Sequence, residues 1–295
     1  MNRGDRREAI FQDDVDRNCL LQTLGEACAK TGWEILAYCL MANHFHIVVE
    51  TPQANLVAGM QWFLSTYTSR FNRRHKLFGH LFSGRYKALL VDGSGNGYLR
   101  TVCDYVHLNP VRARLLRTDQ ALEDYPWSSY PQYLKTPEQR SVWLKVGRLL
   151  GELSIPQDSE AGRAQVAQYM EARRWESTDE EQSRRIRRGW CLGREAFRRE
   201  LLAGVGEKRG PNHLGEEWQE SQIARAERLV REGLAANGWT EADLVQHLKT
   251  DRLKVELAQK LRRESVVSLS WIAQRLHMGS VSTLKNALHN ANSLV

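Results

Sequence analysis

The spacing of apolar residues predicts a helix, a strand pair and a second helix in the first quarter of the chain. Residues 13–31 carry apolar side chains at helical spacing, with acids in the first turn and Gly32 just past the end. Stretches 33–41 and 44–50 are rich in strand-forming residues and are separated by a two-residue gap, which predicts an antiparallel hairpin. Asn55 is then the expected N-cap of the second helix.

The next part of the chain is expected to contain one more strand and one more helix. Residues 86–92, "YKALLVD", predict a strand, and the glycines of "DGSGNG" that follow predict a flexible turn. Residues 98–109 predict a helix that Pro110 must end or kink, because proline lacks the N–H and clashes with the preceding turn. From about Thr136 onward the patterns are long, charged and helical, and no strand is predicted.

The C-terminal segment shows the pattern of a helix-turn-helix. A helix over 254–261 is followed by two helical stretches within 269–290, joined by a short turn at "HMG". The apolar side is supplied by Ile272, Ala273, Leu276, Val281, Leu284 and Leu288. A small residue such as Ala273 and a turn glycine such as Gly279 suit a DNA-binding pair of helices, and a plain helical hairpin is the alternative. The expected division is a catalytic domain over 1–135, a helical extension or linker over 136–250 and the helix-turn-helix segment over 251–295.

Composition narrows the class of protein. A chain of 295 residues with 42% hydrophobic content can form hydrophobic cores, so the composition indicates a globular protein and neither a disordered nor a fibrous one. The five cysteines contain no C-x-x-C pair, so we expect reduced packing residues and neither a disulfide framework nor a thiolate zinc site. The charged start and the lack of a long apolar run favour a cytoplasmic protein without a membrane partner.

The positive charge is concentrated in one block. The net charge is +7, and residues 70–87 contain no acid. Their cations are Arg70, Arg73, Arg74, Lys76, Arg85 and Lys87, interleaved with Phe71, Phe78, Phe82 and Tyr86. Cations for phosphates beside aromatic rings for exposed bases are what single-stranded nucleic acid needs. The alternative is a solvated helix end followed by a hydrophobic and basic loop.

Two histidines lie on one face of the second strand of the hairpin. Side chains alternate along a strand, so His44 and His46 share a face with Glu50, while Phe45 points to the core side. Two imidazoles at this spacing can reach one ion, but a metal site generally needs a third ligand. Taken alone, the pair is also compatible with the wet face of an ordinary strand.

The helix that ends at Pro110 offers a third ligand and a nucleophile. Tyr105 and Asn109 stand at i and i+4 on one helical face, whereas His107 points elsewhere. The amide oxygen of Asn109 would complete a His-His-Asn site. A phenol, with a pKa of about 10, is a poor nucleophile unless it is positioned and helped, and a phosphate polarised by a divalent cation is the setting in which its attack makes sense. Tyr98 is the competing nucleophile, and a packing role for Tyr105 is the other alternative.

Three motifs in order, "NHFH", "GHLFSGRYKALLVD" and "DYVHLNPVRA", give the chain a resemblance to a known family. It resembles the single-tyrosine HUH transposases, in particular the REP-associated tyrosine transposases, over roughly Met1 to Tyr130. The resemblance implies an α+β fold with a ferredoxin-like antiparallel sheet, in which the histidine strand is central and the tyrosine helix docks against it. The mostly helical C-terminal region resembles the extension of longer members.

The resemblance also implies a reaction. Tyr105 would attack single-stranded hairpin DNA and form a 5′-phosphotyrosyl bond, with His44, His46 and Asn109 holding Mg²⁺ or Mn²⁺. The cations of the basic block and Arg112 would bind along the DNA strand, and the C-terminal segment would contact duplex DNA. The protein is expected to be a monomer or a homodimer.

The chain departs from the family pattern at two places, and two other functions compete. Most of the first strand is expected to be missing before Met1, and Ala42 replaces a proline that relatives tend to have. A truncated sheet favours the main alternative, a catalytically inactive, degenerate transposase that binds palindromic DNA. A metal-dependent phosphodiesterase that uses water, with Glu50 as the base, is the third hypothesis.

Overall fold

The computed structural model describes residues 1–176, 180–206 and 216–292. The described residues form two units. The first lies within Met1–Cys28, Trp33–Pro52 and Phe63–Gly210, and the second lies within Ala29–Gly32, Gln53–Trp62 and Pro211–Val295. The predicted helix-turn-helix segment therefore shares its unit with residues that the sequence assigned to the linker.

The first unit is built on a three-stranded antiparallel sheet. Its strands are β1 (Asn2–Arg3), β2 (Glu34–Met41) and β3 (His44–Glu50), in the order β1-β3-β2. The predicted hairpin of β2 and β3 is confirmed, and β3, which carries the two histidines, lies in the middle of the sheet. In β1, Asn2 pairs with Phe45 and Arg3 pairs with His44.

Helices cover both faces of this sheet. They are α1 (Asp14–Thr31), α2 (Leu56–His75) and α3 (Tyr98–His107). On one face, the ring of Phe45 lies 5.8 Å from that of Phe63 in α2 and 6.0 Å from that of Phe82. On the other face, α3 packs against β2 and β3. This is the histidine face, because successive side chains of a strand point to opposite sides.

The strand predicted over residues 86–92 is wrong in extent. Only β4 (Leu90–Val91) forms, and it pairs in parallel with β5 (Cys191–Leu192), a strand that the sequence did not predict. The residues just before β4 run along β1 instead, where Ser83 N–H donates to the Arg3 carbonyl and Lys87 N–H donates to the Met1 carbonyl. This segment satisfies backbone groups at the outer edge of the short β1.

Pro110 interrupts the tyrosine helix as expected, but Asn109 does not end it. The helix α3 stops at His107, and α4 (Asn109–Arg112) begins two residues later with proline in its first turn. Proline is tolerated there because the first N–H groups of a helix have no intrahelical acceptor. The remaining helices of this unit are α5 (Tyr130–Tyr133), α6 (Gly147–Glu152), α7 (Glu160–Trp175), α8 (Glu180–Arg188) and α9 (Glu195–Gly206).

The second unit contains α10 (Glu216–Ala236), α11 (Glu241–Gln246), α12 (Arg252–Glu264), α13 (Leu269–Arg275) and α14 (Val281–Asn292). The apolar residues predicted at the C-terminus are buried in one core with Leu229 and Leu257, apart from the half-buried Val281. Gly279 joins α13 to α14 with a φ of +80°, a conformation that glycine adopts without strain. The two helices and the turn are where the sequence predicts them.

All five cysteines are free thiols, and Cys28, Cys39 and Cys103 are buried. None of the helices in the described part of the chain combines the length and the apolar character needed to span a membrane.

Candidate active site

The two histidines of β3 lie together on the face that α3 covers. Their ring centroids are 5.1 Å apart and the rings are nearly perpendicular. His44 is opposite Arg3 in β1 and Met41 in β2, and His46 is opposite Cys39. Because β3 has a neighbour on both sides, the backbone at these positions is held and the two rings are positioned by the sheet itself.

The tautomer of His44 follows from its neighbour Asn43. The Nδ2 of Asn43 donates to the carbonyl of Arg7 at 2.9 Å, so the amide oxygen faces His44. That oxygen lies 2.8 Å from His44 Nδ1 and can only accept, which places the proton on Nδ1. The lone pair of His44 is therefore on Nε2, which is the arrangement a metal-binding histidine needs.

Both imidazoles are neutral near pH 7. Burial, together with the positive charge of Arg3, lowers the pKa of His44 to about 4. Burial also lowers the pKa of His46 well below its ordinary value, and His44 adds to this shift. Neutral imidazoles keep the lone pairs that bind a cation.

Tyr105 is next to this pair. Its side chain is buried on α3, and its ring centroid is 5.8 Å from that of His46. The competing Tyr98 begins α3, about 10 Å away along the axis at a rise of about 1.5 Å per residue. Of the two tyrosines weighed from the sequence, Tyr105 is thus the one in ring contact with a histidine of β3.

Positive charge converges on the Tyr105 phenol. The Arg112 guanidinium lies over the ring, 4.7 Å from its centroid, and donates to the Tyr105 carbonyl at 2.7 Å. Burial raises the pKa of Tyr105, and the charges of Arg112, Arg187 and Arg3 oppose that rise in pKa. Arg112 is among the residues predicted to contact DNA, whereas neither Arg3 nor Arg187 is predicted from the sequence. Arg187 is far along the chain, and no local pattern connects it to Tyr105.

Arg3 stands out because its Nε is buried without a hydrogen-bond partner among the described residues. Its residue pairs directly with His44 across the sheet, so its side chain shares the histidine face. A buried N–H left unpaired is costly unless something else accepts from it. The one sequence signal for Arg3 is its position next to the expected first strand.

Asn109 is held beside Tyr105 in the way the i, i+4 spacing predicts. Its Nδ2 donates to the Tyr105 carbonyl at 3.0 Å, so its amide oxygen remains as the acceptor atom. In the described part of the chain, no three residues among His, Cys, Asp and Glu are grouped to hold a metal ion. A cation at His44 and His46 would therefore need an amide or a substrate oxygen as a further ligand.

Two polar residues raised by the sequence lie away from this site. Glu50 is four residues beyond His46, about 13 Å along the strand, and faces Arg148 at 3.5 Å. His107 is buried on another side of α3, where its Nε2 is 2.8 Å from the Ser129 hydroxyl. The structure does not bring Glu50 to the histidines as a general base.

The basic block is not free of acids once the chain is folded. Arg70 donates to Thr23 and Glu26, and Arg74 donates to Asp13 and the buried Asp16, all on or next to α1. These two arginines therefore have structural partners. Arg73, Lys76, Arg85 and Lys87 are exposed and make no ion pair within the described residues.

The aromatic residues of the same block also divide. Phe71 and Phe82 are buried in the core, so they cannot stack on a base, and Tyr86 is half-buried. Phe78, in contrast, is 97% exposed. The sequence could not separate them, because all of them stand in the same basic and aromatic pattern.

On one face of the sheet, Tyr105 and two neutral imidazoles lie together with Arg3, and the Arg112 guanidinium covers the tyrosine ring. Such a set of groups could bind a phosphodiester. Comparison with known proteins agrees with this class. Residues 1–109 match the family model described as "Transposase IS200 like", which covers more than a third of the chain. The match supports a transposase family and a function in DNA transposition. No curated protein and no solved structure matches the chain.

Proposed function

We propose that this protein cleaves and rejoins single-stranded hairpin DNA, of the kind formed by REP-like repeats, with Tyr105 as the nucleophile. The observation that carries the proposal is the contact of Tyr105 with His46 on one side and Arg112 on the other. A packing tyrosine does not need three guanidinium groups near it. A tyrosine that must acquire negative charge as it attacks does need them.

The proposed chemistry is a transesterification. The Tyr105 oxygen attacks phosphorus, an O–P bond forms to the 5′ side of the break, and the bond from phosphorus to the 3′ oxygen breaks. The phenol proton leaves, and the departing 3′ oxygen takes up a proton to become a hydroxyl. The reverse reaction with another 3′-hydroxyl rejoins the strand, and no external energy is required because one phosphodiester is exchanged for another.

The donor set fits a divalent ion. His44 Nε2, a ring nitrogen of His46 and the amide oxygen of Asn109 would hold it, leaving other positions for water or phosphate oxygens. Bound there, the ion would polarise the scissile phosphate as a Lewis acid. Imidazole donors favour first-row transition ions over magnesium, so of the two ions considered, Mn²⁺ suits this set better.

The arginines act on the phosphate and on the nucleophile. Arg3 has a buried Nε that would donate to a phosphate oxygen on the histidine face. Arg112 holds the turn that carries Tyr105 and stabilises the phenolate. The neutral histidines add no positive charge of their own, which leaves their lone pairs for the ion.

The C-terminal helices are proposed to bind duplex or palindromic DNA. In α14 the residues on the side opposite the core are polar and exposed, among them Ser282, Lys285, Asn286 and His289. The turn before α14 contains Gly279 at positive φ, as a closely packed helix-turn-helix requires. A second helix that presents such a face is suited to lie in the major groove.

The test is cleavage of a hairpin oligonucleotide with single-stranded flanks, in Mn²⁺ or Mg²⁺, analysed on a denaturing gel. We expect a covalent protein–DNA adduct that EDTA and Tyr105→Phe abolish. Tyr98→Phe is the matched control, and it should leave the adduct unchanged. DNA binding without any adduct, insensitive to EDTA and to His44→Ala, would instead identify a non-catalytic palindrome-binding protein. Turnover without an adduct would identify a phosphodiesterase that uses water.

A further inference from the structure

The turn after α2 presents one aromatic ring to solvent. Phe78 is 97% exposed, the largest exposed fraction among the large hydrophobic side chains of the described chain. Its neighbours Leu77 and His80 are also exposed. A phenylalanine that contributes nothing to the core is free to contact a ligand, because removing it from water is favourable.

The turn is rigidly built. Asn72 of α2 accepts from the Leu77 N–H at 2.9 Å and donates through Nδ2 to the Gly79 carbonyl at 3.0 Å. Lys76 and Gly79 have φ angles of 55° and 93°, which close the turn. Phe78 is thus held between two anchored residues, and little conformational freedom is lost when a ligand binds to it.

The base of this turn lies next to the candidate active site. The carbonyl of Leu81 accepts from the Asp5 N–H at 3.0 Å, and Phe82 bridges to Gly4 at the end of β1. Because β1 pairs with β3 beside His44, the Phe82 backbone is two strand spacings, about 10 Å, from the histidine strand. Phe78 precedes Phe82 by four residues, so the exposed ring is joined to this strand edge by a short segment of chain.

Two exposed cations lie in the turn and in the helix end before it. Arg73 and Lys76 are exposed and without ion pairs in the part of the chain that the structure describes, and Arg85 follows after the turn. A lone ring among cations is unsuited to an apolar protein surface. It is suited to a single DNA strand, in which each base offers a π-face and each phosphate a negative charge.

We infer that Phe78 stacks on one unpaired base of the DNA strand that flanks the cleaved phosphate. This inference rests on the proposed function, since it assigns the strand bound at Phe78 to the same substrate. Arg73 and Lys76 hold the adjoining phosphates. The turn thereby fixes the distance along the strand between the stacked base and the phosphate that Tyr105 attacks.

The experiment is an abasic scan in the full chain carrying Tyr105→Phe, which separates binding from cleavage. Hairpin oligonucleotides with single-stranded flanks are prepared, each with one abasic position, and their Kd values are measured. Phe78→Ala should weaken binding of the intact oligonucleotide about 5- to 150-fold, which is the effect of losing one stacked base. One abasic position should weaken binding by the same factor, and Phe78→Ala should cause no further loss with that oligonucleotide. Phe78→Trp should restore affinity.

Leu77→Ala is the matched control, because Leu77 is in the same turn and is 46% exposed. It should leave the abasic profile unchanged. If Phe78→Ala weakens binding equally at every position, or not at all, the inference is wrong. It is also wrong if Phe78→Ala changes the molecular mass in sedimentation while DNA affinity is unaltered, because the turn is then a protein contact. If the Phe78→Ala chain with Tyr105 intact forms the adduct, and no abasic position removes the effect of Phe78→Ala on binding, only the stacking is overturned. If one abasic position does remove that effect, but chains with Tyr105 intact form no adduct, only the cleavage is overturned.

Discussion

Arg112 is expected to accelerate the attack by Tyr105, and the size of the effect can be worked from the contact. With the guanidinium 4.7 Å from the ring centroid, its charge is about 5.5 Å from the phenol oxygen. A unit charge at that distance contributes about 3 kcal/mol at an effective dielectric of 20 and under about 1 kcal/mol in water. Because Arg112 is exposed, we expect its contribution to transition-state stabilisation to lie between these limits, at about 1.4 kcal/mol, which corresponds to a factor of about ten in rate.

The assay is single-turnover adduct formation at saturating DNA, measured against pH. Arg112→Ala should slow the reaction about tenfold near pH 7.5. It should also move the alkaline rise of the profile to higher pH, because the pKa of Tyr105 rises when the charge of Arg112 is removed. Arg112→Lys should recover part of the rate. Arg117→Ala removes an exposed arginine that pairs with Asp119 and serves as the control. A weaker Kd with an unchanged rate and pH profile would show that Arg112 only binds DNA.

Two further predictions concern the second unit. Lys254 is fully buried and donates to the carbonyls of Leu244 and His247 at 2.7 and 3.0 Å. Lys254→Met should lower the free energy of unfolding by about 2–4 kcal/mol, because it leaves both carbonyls without this donor. An unchanged denaturant midpoint would contradict this. Lys285 is on the exposed side of α14. Lys285→Ala should leave folding intact and reduce by about one the slope of the logarithm of the duplex-DNA binding constant against the logarithm of salt concentration. An identical slope would exclude a phosphate contact at Lys285.

Much of the local structure could be predicted because it depends on near neighbours. The bounds of α1, of the β2–β3 hairpin and of α13 and α14 follow the apolar periodicity closely. The same holds for the shared face of His44 and His46, since alternation along a strand requires it. The pairing of the stretch before β4 could not be predicted, because strand propensity does not specify which sheet edge a segment will pair with. Here the segment forms backbone hydrogen bonds with β1.

The sequence by itself determined the candidate chemistry: a histidine pair on one strand face, and a tyrosine and an asparagine one helical turn apart. Only the tertiary structure decided which charges surround them. It placed Arg3 and Arg187, which are far apart along the chain, where their charges lower the pKa of Tyr105. It also used the acids of α1 to neutralise Arg70 and Arg74, and it buried Phe71 and Phe82 while leaving Phe78 in solvent. The physical reason is that electrostatic and packing partners depend on distance in the folded chain, and the periodicity of a single segment does not contain that information.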